Sequence, residues 1–290
     1  MKRWLVVDLV FPAESGDALS NFLIENGATG IEEIDGDSKE KRLKAFFQKN
    51  GKERQVLRDL HRYLGSLSAL APEMARLQLR TTLLSEQRWG EKWKEFFKPI
   101  RISRFVVKPP WSRIRIKRGE IPISITPGMA FGTGMHPSTQ LCLQALANIH
   151  EKRGFSVLDV GTGSGILSIA AARLGAGAVL GLEIDQEAVR TARENVKENQ
   201  VSEKVHIRSG RIGKIGKTFD AVVANIDLKA LMRLKRSLIH HVKARGILIL
   251  SGILREEKEK VRQHYLETGV FQWGKVTQKG EWVCLTFKKK

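Results

Sequence analysis

The chain has 290 residues, 42% of them apolar, and a formal charge of +19. That length allows two domains, or one large domain with an appendage. No apolar run approaches the roughly 20 residues that a membrane-spanning helix needs, so no membrane partner is expected.

The charge is unevenly placed: residues 101–150 carry 7 basic against 1 acidic side chain, and residues 201–250 carry 11 against 3. Two readings compete for this excess. One is a generally basic, solvated surface; the other is a surface drawn to nucleic acid, such as a weak contact with ribosomal RNA around a substrate.

In chain order, the start "MKRWLVVDLVF" alternates like a strand and lacks the form of a signal peptide, so the cytoplasm is the expected compartment. "AESGDALSNFLIENG" reads as a helix closing at Gly27, and "ATGIEEID" as a strand. "SKEKRLKAFFQKN" reads as a charged amphipathic helix, and residues 52–65 as another ending on Gly65. "MARLQLRTTLL" closes a small α+β unit over residues 1–85. "SEQRWGEKWKEFFKPI" spaces Trp89, Trp93 and Phe96/Phe97 by three and four residues, which predicts a linking helix over 86–100 with one aromatic face. Pro99 ends it.

The remainder, 101–290, is expected to form a separate domain. From residue 155 strands alternate with helices: "SVLDV", "GILSIAAARLG", "AVLGLEI", "DQEAVRTARENVKENQ", "KVHIRSG", "FDAVVANI", "LKALMRLKRSLIHHV", "GILILSGI" and "REEKEKVRQHYLETG". "FQWGKVTQ" and "EWVCLTFKK", joined by "KG", predict an antiparallel hairpin. Nearly continuous apolar strands alternating with helices mean a parallel sheet covered on both faces. The fold class is therefore α/β, a mostly parallel Rossmann-like sheet with a C-terminal antiparallel hairpin, plus the small N-terminal α+β domain. Cys142 and Cys284 lie among apolar neighbours and read as buried thiols, with a disulfide or a metal pair as the alternatives.

Ligands bind such sheets at the carboxyl ends of the strands. "LDVGTGSG" places Gly161, Gly163 and Gly165 in the first strand-to-helix turn, where glycine permits positive φ and close approach of a ligand. The spacing is G-x-G-x-G rather than the G-x-G-x-x-G of a dinucleotide loop, which weakens a dinucleotide reading. Glu183 ends the next strand, placed to accept from two ribose hydroxyls. Asp159 either orders the loop or receives a cationic amino group. Acids at two strand ends and no phosphate clamp point to S-adenosylmethionine, a nucleoside with a sulfonium and an amino-acid tail. Asn225 ends "AVVAN", where an amide oxygen can aim an incoming amine. Asp185 reads as a helix cap, with a ligand role as the alternative, and Asp227 as a helix cap or as an attractor of a cationic substrate.

Upstream, "PGMAFGTGMHPSTQLCLQAL" supplies Gly128, Gly132 and Gly134 for a loop folding over a ligand. His136 reads as a cap ahead of Pro137, and Thr139 sits at a helix N-terminus suited to a carboxylate.

These segments, with "EQRWGEKWKEFFKPIRISRFVVKPPW", "GLEIDQEAV", "LSGIL" and "EWV", resemble the ribosomal protein L11 methyltransferase family (PrmA type). The resemblance implies a class I methyltransferase that moves methyl groups from S-adenosylmethionine to lysine ε-amines and the N-terminal α-amine of a large-subunit ribosomal protein. It puts cofactor contacts at Thr139, Gly161, Glu183 and Asn225; the family commonly has Asp where this chain has Glu183, and the longer acid still reaches a ribose. Residues 1–85 have the size of the family's substrate-recognition domain. Gly163, Asp159 and Gly132 complete the expected cofactor site, Asn225 is the expected amine-positioning residue, and no metal is expected. The alternatives are a methyltransferase for another protein lysine or for RNA, and a non-catalytic ribosome-binding protein.

Overall fold

The computed structural model describes the chain apart from residues 1–2, 13–14, 35–39, 49–50, 52, 71–76, 86–96, 128–130 and 150–153. It divides into two compact units, Met1–Lys98 with Pro127–Phe131, and Pro99–Thr126 with Gly132–Lys290.

The first unit carries β1 (Arg3–Pro12), α1 (Gly16–Glu25), β2 (Gly30–Ile34), β3 (Glu40–Gln48), α2 (Glu53–Leu70) and β4 (Gln78–Ser85). Its strands form an antiparallel sheet in the order β2-β3-β1-β4. Gly27 follows α1 with φ of 93°, the left-handed ending expected there.

Two expectations fail in this unit. Residues 40–48, read as a helix, are strand β3. Leu43, Ala45 and Phe47 alternate onto the buried face, and nine positions pair with β1. Helix α2 does not stop at Gly65 but continues to Leu70. A glycine in a helix interior costs only about 1 kcal/mol relative to alanine, and the flanking leucines Leu60 and Leu64 are buried, which holds the helix together through it.

The predicted linking helix falls mainly on 86–96, outside the described residues. Phe97 is buried, and it packs where a Cβ on Gly30 would stand 2.7 Å from its ring, so Gly30 is the residue that makes room for it.

In the second unit β5 (Ile100–Ile102), β6 (Phe105–Lys108) and β7 (Ile121–Ser124) make a three-stranded sheet within the basic stretch, where no strands were expected. Then follow α3 (Pro137–Ala147), β8 (Ser156–Val160), α4 (Ile166–Arg173), β9 (Ala178–Glu183), α5 (Gln186–Glu198), β10 (Val205–Ser209), β11 (Phe219–Asn225), α6 (Leu228–His241), β12 (Val242–Leu254), α7 (Lys258–Leu266), β13 (Phe271–Lys279) and β14 (Trp282–Lys289). The seven-stranded sheet runs β10-β9-β8-β11-β12-β14-β13. Its first five strands are parallel and the terminal hairpin antiparallel, so the expected fold class is the observed one.

One apolar layer holds α3, α4 and α5 on one face of the sheet, through residues such as Leu141, Ile169 and Val189. The other holds α6 and α7 on the opposite face, through Leu231, Leu238, Val261 and Tyr265. Cys142 and Cys284 are free, buried thiols. No described helix is long and apolar enough to cross a membrane.

Candidate functional site

The chain runs from β8 outward through β9 to β10, then returns to β11 on the other side of β8. That reversal makes the carboxyl ends of β8 and β11 the switch point at which a ligand crevice forms. Asp159, Glu183 and Asn225 lie at the carboxyl ends of the neighbouring strands β8, β9 and β11.

The loop after β8 depends on its glycines. Gly161, Gly163 and Gly165 have φ of 74°, 53° and 83°, in the region that disfavours any side chain. A Cβ on Gly161 would also stand 2.5 Å from Ile226 Cγ2. The loop amides are largely engaged: Gly161 N and Thr162 N donate to Leu182 O, Gly165 N donates to Thr162 O, and Gly163 N donates to Glu183 Oε2 at 3.0 Å. A phosphate nest needs several such N–H groups pointing outward, and here four of the five are turned inward. What the strand ends offer instead is acceptors, suited to hydroxyl and ammonium donors. A nucleoside with a cationic tail fits that set, and a pyrophosphate does not.

Glu183 Oε1 also accepts from Ile184 N and Asp185 N, at 2.7 and 3.1 Å. Its carboxylate is thereby fixed at the tip of β9 and tied to Gly163. Asp185 caps α5 by accepting from Glu187 N and Ala188 N, and Asp227 caps α6 by accepting from Ala230 N.

Asp159 is fully buried beneath the loop. Its Oδ2 accepts from the hydroxyls of Thr162 (2.6 Å) and Ser168 (2.7 Å), and its buried Oδ1 has no hydrogen-bond partner. Burial pushes its carboxyl up to about 6, against the two hydroxyls that lower it, with the Glu183 charge adding to the rise.

The upstream loop is fastened to the first one. Gly132 and Gly134 have φ of 93° and 90°, and Ser164 Oγ donates to Gly132 O at 2.5 Å. Gly128 lies outside the described residues. His136 caps α3 by accepting from Ser138 N, ahead of Pro137. Its ring lies edge-on to Trp282 at 4.6 Å, and burial lowers its pKa to about 4. A ring held neutral and spent on a helix cap is a structural part of the loop.

Thr139 and Asn225, 86 residues apart, meet here: Asn225 Nδ2 donates to Thr139 Oγ1 at 3.2 Å. That bond fixes the amide, leaving Asn225 Oδ1 buried and without a partner. A buried acceptor left unpaired costs about 1–3 kcal/mol, and such a cost marks a place for a donor from outside the chain.

Three contributors were not foreseen. Gly252 in β12 has φ of 80°, and a Cβ there would collide with the carbonyl oxygen of Ile226; "LSGIL" among the resembling segments was the available signal. Asn195, buried in α5, donates to Ser164 O and accepts from Thr126 N. A polar residue on the apolar stripe of that helix was the clue. Ser251 Oγ reaches both Ser138 O (3.3 Å) and Val283 O (3.0 Å), pinning the start of α3 to β12. Among the described residues no cluster of His, Cys, Asp or Glu is arranged to hold a metal ion.

A family model described as "Ribosomal protein L11 methyltransferase (PrmA)" matches residues 3–290. A ribosomal protein L11 methyltransferase of Geobacter metallireducens is 37% identical over 301 residues, covering 99% of this chain and 98% of that protein. One of Streptococcus equi subsp. zooepidemicus is 33% identical over 309 residues, covering 100% and 97%. The crystal structure of a ribosomal protein L11 methylase from Lactobacillus delbrueckii subsp. bulgaricus superposes with a TM-score of 0.62 at 32% identity, over 67% of this chain and 100% of that one.

Proposed function

Since the chain belongs to the ribosomal protein L11 methyltransferase (PrmA) family, it is an S-adenosylmethionine-dependent protein methyltransferase, and we propose that its acceptors are lysine ε-amines and the N-terminal α-amine of that ribosomal protein. The observation that carries the amine reading is the Asn225 amide. Its nitrogen is committed to Thr139, and its buried oxygen has no partner. An oxygen so held can accept an N–H of the incoming amine and aim its lone pair.

When bound, S-adenosylmethionine supplies an electrophilic methyl group on a sulfonium. Around it each residue has its task. Glu183 accepts from ribose hydroxyls. Gly161 and Gly163 keep the loop free of side chains where the nucleoside lies. Thr139, at the N-terminus of α3, faces the carboxylate of the methionine tail, which that end of a helix favours. Gly132 lets the upstream loop close on Ser164, and Asp159 braces Thr162 and Ser168 beneath, its charge available to the tail ammonium. The acceptor amine must arrive neutral, and exclusion of water at these buried positions favours its uncharged form. Transfer is then a single in-line displacement with no covalent intermediate on the enzyme.

In this reading residues 1–85 hold the substrate protein, 86–100 link, and 101–290 transfer the methyl group. The basic surface adds a weak contact with ribosomal RNA, and the enzyme works in the cytoplasm, where its substrate is made.

The test is mass spectrometry of purified ribosomal protein L11 before and after incubation with enzyme and cofactor. Mass should rise in methyl steps located on lysines and the N-terminus. Asn225→Ala should lower turnover on the order of 100-fold, the usual loss for a displaced reacting group. Unchanged turnover would remove Asn225 from this role.

A further inference from the structure

The methyl-transfer site is built from acids, amides and hydroxyls, and leaves the chain's excess of cations without a task. Part of that excess lies along one line. On α6, Lys229, Arg233, Arg236 and His240 recur at i, i+4, i+7 and i+11, and all four are exposed. These intervals bring the residues under one another on a single helix face. At 1.5 Å per residue the line runs about 16 Å.

The buried side of the helix carries Ala230, Leu231, Leu238 and His241, and no acidic residue lies between Leu228 and His241. Other cations nearby are already engaged: Lys235 pairs with Glu267, and Lys243 with Asp220. Among the described residues none of the four has such a pair.

The line ends in a groove. Arg236 and His240 form part of a cavity of about 580 Å³ whose walls include Thr268 and Lys289. Lys289 Nζ donates to Ile239 O and Val242 O at the end of α6, which fixes its charge at that position. Glu267 also lines the groove, its charge met by Lys235.

We propose that this face of α6 and the groove at its end bind the phosphodiester backbone of RNA, namely the ribosomal RNA beside the substrate protein. The choice of source rests on the ribosomal-protein reading above. Cations spaced along one helix, with no Phe, Tyr or Trp among them to stack on bases, read phosphates and not sequence. A membrane surface is the poorer match. Interfacial helices carry a large apolar face outward, whereas the exposed large apolar residues among the described ones are Leu83, Phe131 and Ile184, none of them on α6. Placement suits the task as well. The helix begins two residues beyond Ile226, so the line starts at the catalytic edge of the sheet and leads away from it. RNA lying there would tether the enzyme while the protein acceptor reaches the site.

The test is fluorescence anisotropy of a labelled oligouridine of about 20 nucleotides, repeated with a ribosomal RNA fragment, against the full chain and its Arg233→Ala/Arg236→Ala/His240→Ala variant. These exposed alanines favour the helix, and methyl transfer to the free ribosomal protein should be unchanged, which serves as the check on folding. Each permanent cation removed should flatten the slope of log affinity against log salt by about 0.7 on single strands. The two arginines together then account for a slope change of about 1.4, and for a loss of about 25-fold in affinity at roughly 0.1 M salt. Arg233→Lys/Arg236→Lys should restore the wild-type slope.

A variant with wild-type affinity and slope overturns the proposal, as does a wild-type chain that fails to bind either RNA. Tighter binding to vesicles of equal parts phosphatidylcholine and phosphatidylglycerol, lost in the same variant, would assign the face to a membrane instead. A chain that methylates nothing yet binds RNA through these side chains would defeat the acceptor reading and support the surface.

Discussion

Asp159 offers a measurement in which sign and size both follow from the geometry. Its carboxyl is fully buried, and its pKa is raised from 3.8 to about 6. Each tenfold change in acidity is worth about 1.4 kcal/mol, so keeping Asp159 ionised costs the fold about 3 kcal/mol once the pH is well above both values. Because the folded value is the higher one, the favourable contribution is present below 3.8 and is lost as the pH rises through about 6. Asp159→Asn removes that dependence. The amide keeps an oxygen for the Thr162 and Ser168 hydroxyls, but it sets donor hydrogens where Oδ1 has no partner. That adds a penalty of about 1–3 kcal/mol that does not vary with pH.

The absolute stability of the variant is therefore uninformative, and the slope decides. Between about pH 5 and pH 8 the wild type should lose about 1 kcal/mol more than Asp159→Asn, on the order of tenfold in the unfolding constant. Urea unfolding followed by tryptophan fluorescence at the two pH values measures it. The titration of His136 is common to both proteins and cancels. Parallel curves would refute the claim that this carboxylate is held charged at a cost. Cofactor affinity then separates its two roles. A brace alone tolerates the amide, whereas an ion pair with the tail ammonium would be lost with the charge.

Two further changes test other parts of the site, and a third tests an ion pair at the opposite end of the sheet. Gly161→Ala meets both a left-handed φ and the methyl of Ile226, so it should cost about 1–2 kcal/mol from the backbone alone and weaken cofactor binding. Adding Ile226→Ala should recover only the steric part, and full recovery in a thermal melt would deny the backbone term. Gly252→Ala would force the Ile226 carbonyl to shift beside Asn225; methyl-transfer kinetics should show a lower kcat, and an unaltered kcat would show that this close approach is not needed. Burial pulls the Asp220 carboxyl upward, but Lys243 and Ser156 together hold it down to about 2. Its contribution is therefore present above 3.8 and lost as the pH falls through about 2. In acid unfolding the wild type should lose more than Asp220→Asn over that window, and equal losses would count against the pairing.

What could be read in the chain alone depended on whether the deciding contact was local. Strands β8, β9, β11 and β12 announced themselves as apolar runs because both faces are covered, and the caps Asp185, Asp227 and His136 are decided within three residues. Strand β3 shows the opposite case. "RLKAFF" satisfies a helical stripe through Leu43, Phe46 and Phe47, and equally the alternation Leu43, Ala45, Phe47; a short apolar run cannot separate the two. The choice is made by β1 and β2, which pair with it on either side, a long-range term outside any window of the sequence. The site divides along the same line. Glycines 161 and 163 and Glu183 stand within one strand–turn–helix–strand unit, so their proximity was legible. The bond from Asn225 to Thr139, the clasp of Ser164 on Gly132 and the pressure of Gly252 on Ile226 each join segments that meet only once the sheet has closed. The amide oxygen without a partner exists only because of the first of these. The step that would turn a strand-ending asparagine into the proposed amine-directing group therefore belongs to the tertiary fold, and Thr139→Val is its direct probe. With the hydroxyl gone, Asn225 is free to turn, and turnover should fall toward that of Asn225→Ala. Wild-type turnover in Thr139→Val would mean that the amide is oriented by something other than this bond.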